Sequence, residues 1–480
     1  MEELTVVFLV FLVMLAFFSE VHPMVMYDGD DWNGLSKQRN VAFPKWHDHN
    51  PIKVLPESLM PLVAPVAAYF VQPFLGDFVS SVTLVSAAIL SGLISLYVWL
   101  FLKVMERRFS LESWVACVLA VMFLSFHFLV FRHGDYNNAY LFSTPNLTNY
   151  FNYTIPALWN SSLVLFFLWR GISGTRRPEG KRWQDCLLVF FLFLAICSNV
   201  LHSIILIAYI CVELFWNRRQ WRQQKFFIGL LVAWVVTLLF ESSGGRASQV
   251  EQSLLDLPVL QTLSSLLHVF LQYNKGILIV AVFALLFIGG SVFLYRRHRR
   301  KDDVDLIYKE GQQKILLCAF LWSAYEVLVC ARAGGNYVDW PDVTIGLFFY
   351  LFLLMFSAAA YVFHRKPGIL LVLPILAMVV FCRTISAQQS LEDSTMGRVP
   401  PAICAEISRD IIAQVQAAEA AGKREMELRV PKGDDRDNWP HPNYMGAAVS
   451  RLLYGQGLIP YPIEITVVPD AGMNAQYGMR

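Results

Sequence analysis

The chain is a series of long apolar runs separated by short polar segments. A helix that crosses the hydrocarbon core of a membrane needs about 20 predominantly apolar residues, and the runs approach that length. Each run is therefore predicted to form a membrane-spanning helix. The pattern gives eleven such helices, at residues 4–19, 79–102, 113–131, 155–169, 184–198, 200–216, 226–240, 276–295, 314–331, 343–363 and 368–386.

Two further apolar stretches are interrupted by proline or by polar residues. Residues 58–75 contain Pro61, Pro65 and Pro73, and residues 253–271 contain Asp256, among other polar residues. We interpret both stretches as helices that lie at the outer interface or dip partway into the membrane. If either stretch crossed the membrane, every later basic loop would change sides.

Lysine and arginine concentrate in alternate loops, and this asymmetry predicts the orientation. By the positive-inside rule the basic loops face the cytoplasm. The N-terminus is then cytoplasmic, and the segment after residue 386 is extracytoplasmic in a multi-pass protein of the cytoplasmic (inner) membrane. The basic loops are residues 103–108, 170–182, 218–225, 296–314 and 365–366.

The C-terminal segment, residues 387–480, differs from the membrane part, residues 1–386. Apolar residues recur at helical spacing in 404–421, and 425–430 has the pattern of a strand. A second helix at 444–454 and a second strand at 463–468 complete a predicted small α/β module. The segment contains no recognisable catalytic motif, so we interpret it as a binding or structural lid over the outer face.

Composition narrows the class of protein. Of the 480 residues, 56% are hydrophobic and only 16% are charged, whereas soluble domains carry roughly 25% charged residues. The formal net charge of +2 gives no basic field that would attract nucleic acid. These values exclude a soluble multidomain enzyme, a disordered chain and a nucleic-acid-binding protein, and they favour a polytopic α-helical membrane protein.

The first outer loop, residues 20–78, places several carboxylates directly after a membrane helix. Asp28, Asp30 and Asp31 fall within four positions. Crowded carboxylates beside a medium of low dielectric constant repel one another, which raises the proton affinity of at least one of them and suits a general base. The alternative is a solvated turn, since Asp-Gly is a common turn dipeptide.

Other polar residues point to a cavity on the same side. His127 and Glu326 lie in the outer halves of predicted helices, where an ionised group costs about 2.5–3.5 kcal/mol and usually faces a polar cavity or a partner. Two outer loops combine glycine with Arg246 or with Arg332, and Lys275 begins the eighth helix. Arginine presents a planar set of donors that matches phosphate oxygens, although paired glycines also occur in ordinary flexible turns.

This layout resembles the GT-C superfamily of integral-membrane glycosyltransferases, and more closely the bacterial branch that modifies cell-surface polysaccharides. The similarity covers the arrangement of residues 1–386, and its specific motif is Asp30-Asp31-Trp32 after the first helix. It implies an inverting glycosyltransferase that moves a sugar from a polyprenyl-phosphate donor to a glycan or glycolipid acceptor on the outer face of the membrane.

The resemblance also implies a role for individual residues. Asp30 is the first choice for the catalytic base and Asp31 the second, and the choice stays open because several branches have Asp-Glu at this motif. No metal or other cofactor is expected, since the leaving phosphate is already charged. The remaining assignments are Asp135 as a second acid in the next outer loop, Arg246, Arg332 and Lys275 as contacts of the donor phosphate, and Glu326, His127 and Asp28 as further residues of the outer cavity.

Three alternatives remain open. An O-antigen-type polymerase or ligase also has many spans and outer arginines, but such enzymes usually place their large outer loop later in the chain. A transporter or flippase of lipid-linked sugars would carry charges near the middle of the membrane. A non-catalytic assembly protein would use its C-terminal segment to bind cell-wall polymer.

Overall fold

The structure is a computed structural model of the chain. It describes residues 2–37, 39, 42–133, 138–173, 181–244, 257–273, 275–297, 303–333, 335–388, 391 and 399–479.

Long helices make up the part of the chain predicted to be in the membrane, and every predicted span falls on one of them. The helices are α1 (Glu2–Ala16), α2 (Gly29–Ser36), α3 (Val54–Val66), α4 (Gln72–Leu75), α5 (Phe78–Arg108), α6 (Ser113–Leu129), α7 (Leu147–Asn149), α8 (Ile155–Arg170), α9 (Arg182–Ile196), α10 (Val200–Trp216), α11 (Lys225–Ser242), α12 (Val259–Gln272), α13 (Lys275–Arg297), α14 (Asp303–Ala333), α15 (Pro341–Arg365) and α16 (Leu373–Gln388). A short antiparallel hairpin of β1 (Phe131–His133) and β2 (Asn138–Tyr140) follows α6.

Among the described residues, eight helical segments are long and apolar enough to cross a membrane. Seven of them coincide with predicted spans, which agrees with a polytopic helical membrane protein. The eighth, Val54–Leu75, falls on a stretch that we predicted to lie at the interface. The other four predicted spans are α6, α8, α9 and α10, which have 15 to 17 residues each.

The helix ends that carry lysine and arginine lie together at one end of the helical bundle. Lys103 near the end of α5 forms an ion pair with Glu3 at the start of α1. The Tyr308 hydroxyl, near the start of α14, donates to the carbonyl oxygen of Phe109 at 2.8 Å. Arg365 at the end of α15 forms an ion pair with Asp305 at 2.7 Å. We call this the basic end, and the opposite end the cavity end.

Val54–Leu75 lies across the cavity end rather than through the bundle. The Val54 N–H donates to the carbonyl oxygen of Cys197 at 2.8 Å, beside the start of α10. At its other end Gly76 adopts a left-handed conformation and Asp77 caps the first turn of α5. Both ends of the segment therefore lie at the same end of the bundle. The internal prolines do not end the helix, since a π-helical turn, Ala67–Val71, continues it.

Segment α12 also stays at the cavity end. It begins after α11 has reached that end and finishes just before the start of α13. The Arg132 Nη1 donates to the Gln272 side-chain oxygen at 2.9 Å, which ties the end of α12 to the β1–β2 hairpin. The interfacial placement of both interrupted stretches stays a prediction, and Val54–Leu75 is also long and apolar enough to cross a membrane.

Aromatic side chains from α5, α6 and α15 fill the centre of the bundle. The rings of Phe101 and Phe123 stack 3.9 Å apart, and Phe356 packs edge-on against both. In a membrane such helices are held together by van der Waals packing of their side chains, and edge-on or stacked ring pairs add about 0.5–1.5 kcal/mol each. This centre holds α5 and α15 together, and Trp340, the residue just before α15, lines the site described below.

The C-terminal segment contains the predicted helices and strands, with α19 in addition. Its elements are α17 (Pro401–Ala420), β3 (Glu425–Pro431), α18 (Met445–Gly455), β4 (Glu464–Asp470) and α19 (Ala471–Gln476). Strands β3 and β4 pair in parallel, so a crossover connection containing α18 joins them. The segment packs directly on the first outer loop, where the Ser408 hydroxyl donates to the Met26 carbonyl oxygen at 2.7 Å.

Candidate functional site

A cavity of about 1440 Å³ opens at the cavity end of the bundle. Its walls come from α2, α3, the start of α10 and the ends of α11 and α14. Single small-molecule sites usually occupy about 300–1,000 Å³. This cavity is large enough to hold two bound groups at once.

The first outer loop contributes α2, in place of the solvated turn that was the alternative prediction. Asp28 is the N-cap of this helix, because its Oδ1 accepts the Asp31 N–H at 3.0 Å. The Asn146 Nδ2 donates to the other oxygen of Asp28 at 2.6 Å. Asp28 is fully buried and does not line the cavity. It therefore fixes the start of α2 rather than facing a substrate.

Asp31 is also fully buried, and both of its oxygens accept hydrogen bonds. The Thr148 N–H and hydroxyl donate to Oδ1 at 2.7 and 2.8 Å, and the Tyr27 N–H donates to Oδ2 at 3.0 Å. Burial raises the pKa of Asp31 to about 6 and raises the pKa of Asp28 as well. The raised proton affinity that the sequence predicts thus falls on the two aspartates that hold α2 to α7 and to its N-cap, Asn146.

Asp30 is the aspartate of this group that is exposed and that lines the cavity. Successive residues of a helix are rotated by about 100°, so Asp30 points away from its buried neighbour Asp31. The carboxylate accepts a hydrogen bond from the Tyr444 hydroxyl at 2.8 Å. Of the two candidates for the base, Asp30 is the one whose carboxylate faces the cavity.

Two glycines allow other elements to approach α2 closely. A Cβ atom at Gly29 would lie 2.8 Å from the Pro442 ring of the C-terminal segment. A Cβ atom at Gly34 would lie 2.6 Å from the Met60 sulfur of α3. Real Cβ atoms are not found so close to other atoms, so these glycines are needed where α2 meets its two neighbours.

Arg332 lines the same cavity as Asp30, from the end of α14. It is exposed, and it has no ion pair with a carboxylate in the described part of the chain. Arg39, another cation of the wall, is instead held by Glu57 and by the carbonyl oxygens of Asn50 and Pro51. Arg332 is therefore available to an anionic ligand, whereas Arg39 supports the wall.

Amides and aromatic rings supply much of the remaining lining. Asparagine side chains can donate to and accept from sugar hydroxyls, and the cavity is lined by Asn33, Asn50, Asn146, Asn149, Asn152 and Asn199. Rings of Tyr153, Tyr337 and Trp340 form one part of the wall. The centroid of the Trp340 ring lies 5.0 Å from that of Tyr337 and 5.8 Å from that of Tyr153.

One side of the cavity is apolar. Leu238 of α11 and Leu328 and Val329 of α14 line it. These residues belong to helices long enough to span a membrane. The cavity thus combines a polar wall from the outer loop with an apolar wall that continues into the bundle.

Other predicted site residues lie away from this cavity. His127 is buried between Tyr97 and Phe142, and its Nδ1 lies 2.8 Å from the Phe123 carbonyl oxygen, which fits an ordinary core histidine. Glu326 is fully buried beside Cys330, and Lys275 is exposed at the start of α13. None of the three lines the cavity. Asp135 and Arg246 lie outside the described residues.

The described residues contain no group of three or more histidine, cysteine, aspartate or glutamate side chains that suits a metal ion. The chain matches no protein-family model, no curated protein and no solved structure. The function must therefore be argued from the site itself.

Several lining residues carried only a weak signal in the sequence. Asp48, His49 and Asn50 are consecutive polar residues of the first outer loop, and their sequence alone does not place them in a cavity. Tyr444 had no such signal, because it is separated from Asp30 by 413 intervening residues. Only the packing of α18 on α2 brings the two together.

Proposed function

We propose that the chain is an inverting glycosyltransferase of the GT-C type, which moves a sugar from a polyprenyl-phosphate donor to a cell-surface glycan or glycolipid. One observation carries the proposal. An exposed carboxylate, Asp30, and a cation without a carboxylate partner among the described residues, Arg332, line one large cavity at the end of a bundle of apolar helices.

The proposal includes a topology. Eleven helices cross the cytoplasmic membrane, with the basic end inside and the cavity end outside. The N-terminus is then cytoplasmic and the C-terminal segment extracytoplasmic. The four short helices α6, α8, α9 and α10 can complete this count, since a span needs about 17 residues or more and local thinning accommodates shorter ones.

The residues supply a balanced reaction. Asp30 removes the proton from an acceptor hydroxyl, whose oxygen forms a bond to the anomeric carbon of the sugar. The bond from that carbon to the phosphate oxygen breaks, and the electron pair leaves with the polyprenyl phosphate. Arg332 stabilises the charge of the leaving phosphate through paired hydrogen bonds. Attack opposite to the leaving group inverts the anomeric centre, and no metal takes part.

The shape of the cavity suits such a donor. A polyprenyl chain is apolar, so it would lie along Leu238, Leu328 and Val329 with its phosphate at the level of Arg332. The side-chain amides of Asn33 and Asn152, which also line the cavity, would bind the sugar hydroxyls. A polymerase or ligase would use the same donor chemistry, and a flippase would bind the lipid without breaking the glycosidic bond.

The test is an assay of purified chain in lipid nanodiscs, with a panel of polyprenyl-phosphate hexoses and water-soluble glycan acceptors. Release of polyprenyl phosphate and formation of product are measured by mass spectrometry. Asp30→Asn keeps an oxygen that can accept from Tyr444 but cannot take a proton, so turnover should fall by about 10²–10⁴-fold. Unchanged product formation by this variant would contradict the proposal, and lipid movement without product would favour a flippase.

A further inference from the structure

The C-terminal segment reaches the carboxylate that the proposed reaction depends on. The Tyr444 hydroxyl donates to Asp30 Oδ1 at 2.8 Å. Tyr444 immediately precedes α18, and it does not itself line the cavity. Its hydroxyl can therefore act on a substrate only through Asp30.

Contacts on both sides of Asp30 hold Tyr444 and Asp30 in place relative to each other. The Gly29 N–H donates to the Pro440 carbonyl oxygen at 2.9 Å. At the other end of α2, the Arg451 Nε donates to the Ser36 hydroxyl oxygen at 3.2 Å. The absence of a side chain at Gly29 lets Pro442 approach the helix. The orientation of Tyr444 toward Asp30 is thus built into the packing of α18 on α2.

We propose that Tyr444 is a positioning residue, which donates to one oxygen of the Asp30 carboxylate and so fixes the orientation of this base in the cavity. The C-terminal segment is then part of the active site rather than a separate lid. This inference rests on the proposed function, since it assigns to Tyr444 a role in the same reaction.

The chemistry of the pair supports that role. A hydrogen bond donated to a carboxylate favours its ionised form, so it lowers the pKa of the acid. Burial, followed by the charge of Asp30, raises the pKa of Tyr444 well above its usual value. The phenol therefore stays protonated and remains a donor. The other titratable or charged groups around the pair are Asp28 at the N-cap of α2, Asp31 within α2, Lys37 at its end, Asp437 and Arg451 in the C-terminal segment, and Arg332 in the wall of the same cavity.

The experiment is the pH profile of kcat/KM for Tyr444→Phe in the nanodisc assay. The variant keeps the ring and removes only the donor, which is worth about 0.5–1.5 kcal/mol. The acid limb should therefore move upward by about 0.4–1 pH unit, at 1.36 kcal/mol per unit, with activity recovering at higher pH. Tyr454→Phe is the matched control, because Tyr454 is an exposed tyrosine of the same helix, and it should keep the wild-type profile.

Site-specific 3-fluorotyrosine at position 444 provides a second variant, which keeps the hydroxyl but makes it a stronger donor. It should move the acid limb to lower pH. An unshifted limb in both variants would overturn the role of Tyr444, provided that Asp30→Asn lowers turnover as predicted above. If Asp30→Asn retains turnover, the proposed function fails and the role of Tyr444 fails with it.

Discussion

At the scale of single residues, three neighbouring aspartates have different environments. Asp28 and Asp31 are fully buried and hydrogen-bonded, whereas Asp30 is exposed to the cavity. Their spacing in the sequence shows only that they are crowded. The rotation of about 100° per residue in α2 decides which of them can reach a substrate.

Replacing Asp31 tests its structural role. In Asp31→Asn the amide NH₂ faces either the Tyr27 N–H or the donors of Thr148, so the melting temperature in nanodiscs should fall by an amount that corresponds to about 1–3 kcal/mol near neutral or acid pH. Asp30→Asn should leave the melting temperature unchanged, because Asp30 is exposed. Equal melting temperatures for the two variants would contradict this division of roles.

The loss of stability caused by Asp31→Asn should depend on pH. The pKa of Asp31 is about 6 in the folded chain, against 3.8 as its ordinary value. Between these values the folded state holds a proton that the unfolded state has lost, so this group stabilises the fold at low pH and loses that contribution as pH rises through about 6. The destabilisation by Asp31→Asn should therefore be larger at pH 5 than at pH 7.5. A larger destabilisation at pH 7.5 than at pH 5 would contradict the raised pKa of Asp31.

Variants of Arg332 and Lys275 distinguish between the two candidate positions for the donor phosphate. Arg332 lines the cavity with Asp30, whereas Lys275 does not. A charged hydrogen bond is worth about 1.5–3 kcal/mol, so Arg332→Gln should lower kcat/KM for the donor by about 10–100-fold, through a lower kcat as well as a higher KM. Lys275→Gln should leave kcat/KM within about 3-fold of wild type. The reverse ranking would move the phosphate site to the start of α13.

At the scale of elements, the packing of α18 decides whether the C-terminal segment can reach α2. Gly446 lies two residues after Tyr444 and directly against the carbonyl oxygen of Ile465 in β4, where no Cβ atom fits. Gly455, at the end of the same helix, has open space around it. Gly446 is therefore a test position for the packing of α18, and Gly455 is its matched control in the same helix.

Gly446→Ala should push α18 away from β4, lower the melting temperature and reduce turnover by displacing Tyr444 from Asp30. Gly455→Ala should be neutral or stabilising by up to about 1 kcal/mol, because alanine is the better helix former. Thermal unfolding and turnover of both variants check this. If Gly446→Ala matched wild type in both measurements, the close packing of α18 on β4 would be wrong.

Much of the element pattern could be predicted from the sequence, because long apolar runs strongly favour helices. The prolines of Val54–Leu75 did not predict that it is one continuous helical segment, which the structure keeps through a π-helical turn and which is long enough to cross a membrane. The solvated-turn alternative for residues 28–31 did not hold, since Asp28 caps a helix there. A contact such as Tyr444 with Asp30 could not be predicted, because no local pattern links residues so far apart in the chain.

At the scale of the whole molecule, the cavity and the basic helix ends lie at opposite ends of the bundle. The proposed topology therefore places the C-terminus outside and the N-terminus inside. Alkaline phosphatase fused after residue 480 should be active, and the same enzyme inserted in the basic segment Arg218–Gln223 should be inactive. An inactive C-terminal fusion would reverse the orientation and place the cavity in the cytoplasm.

The most direct test of the account is a structure of the Asp30→Asn chain in nanodiscs with a polyprenyl-phosphate hexose bound. The account predicts that the phosphate lies within hydrogen-bond distance of the Arg332 guanidinium and that residue 30 faces the anomeric carbon from the opposite side. A donor phosphate bound elsewhere, with residue 30 and Arg332 both remote from the sugar, would contradict it.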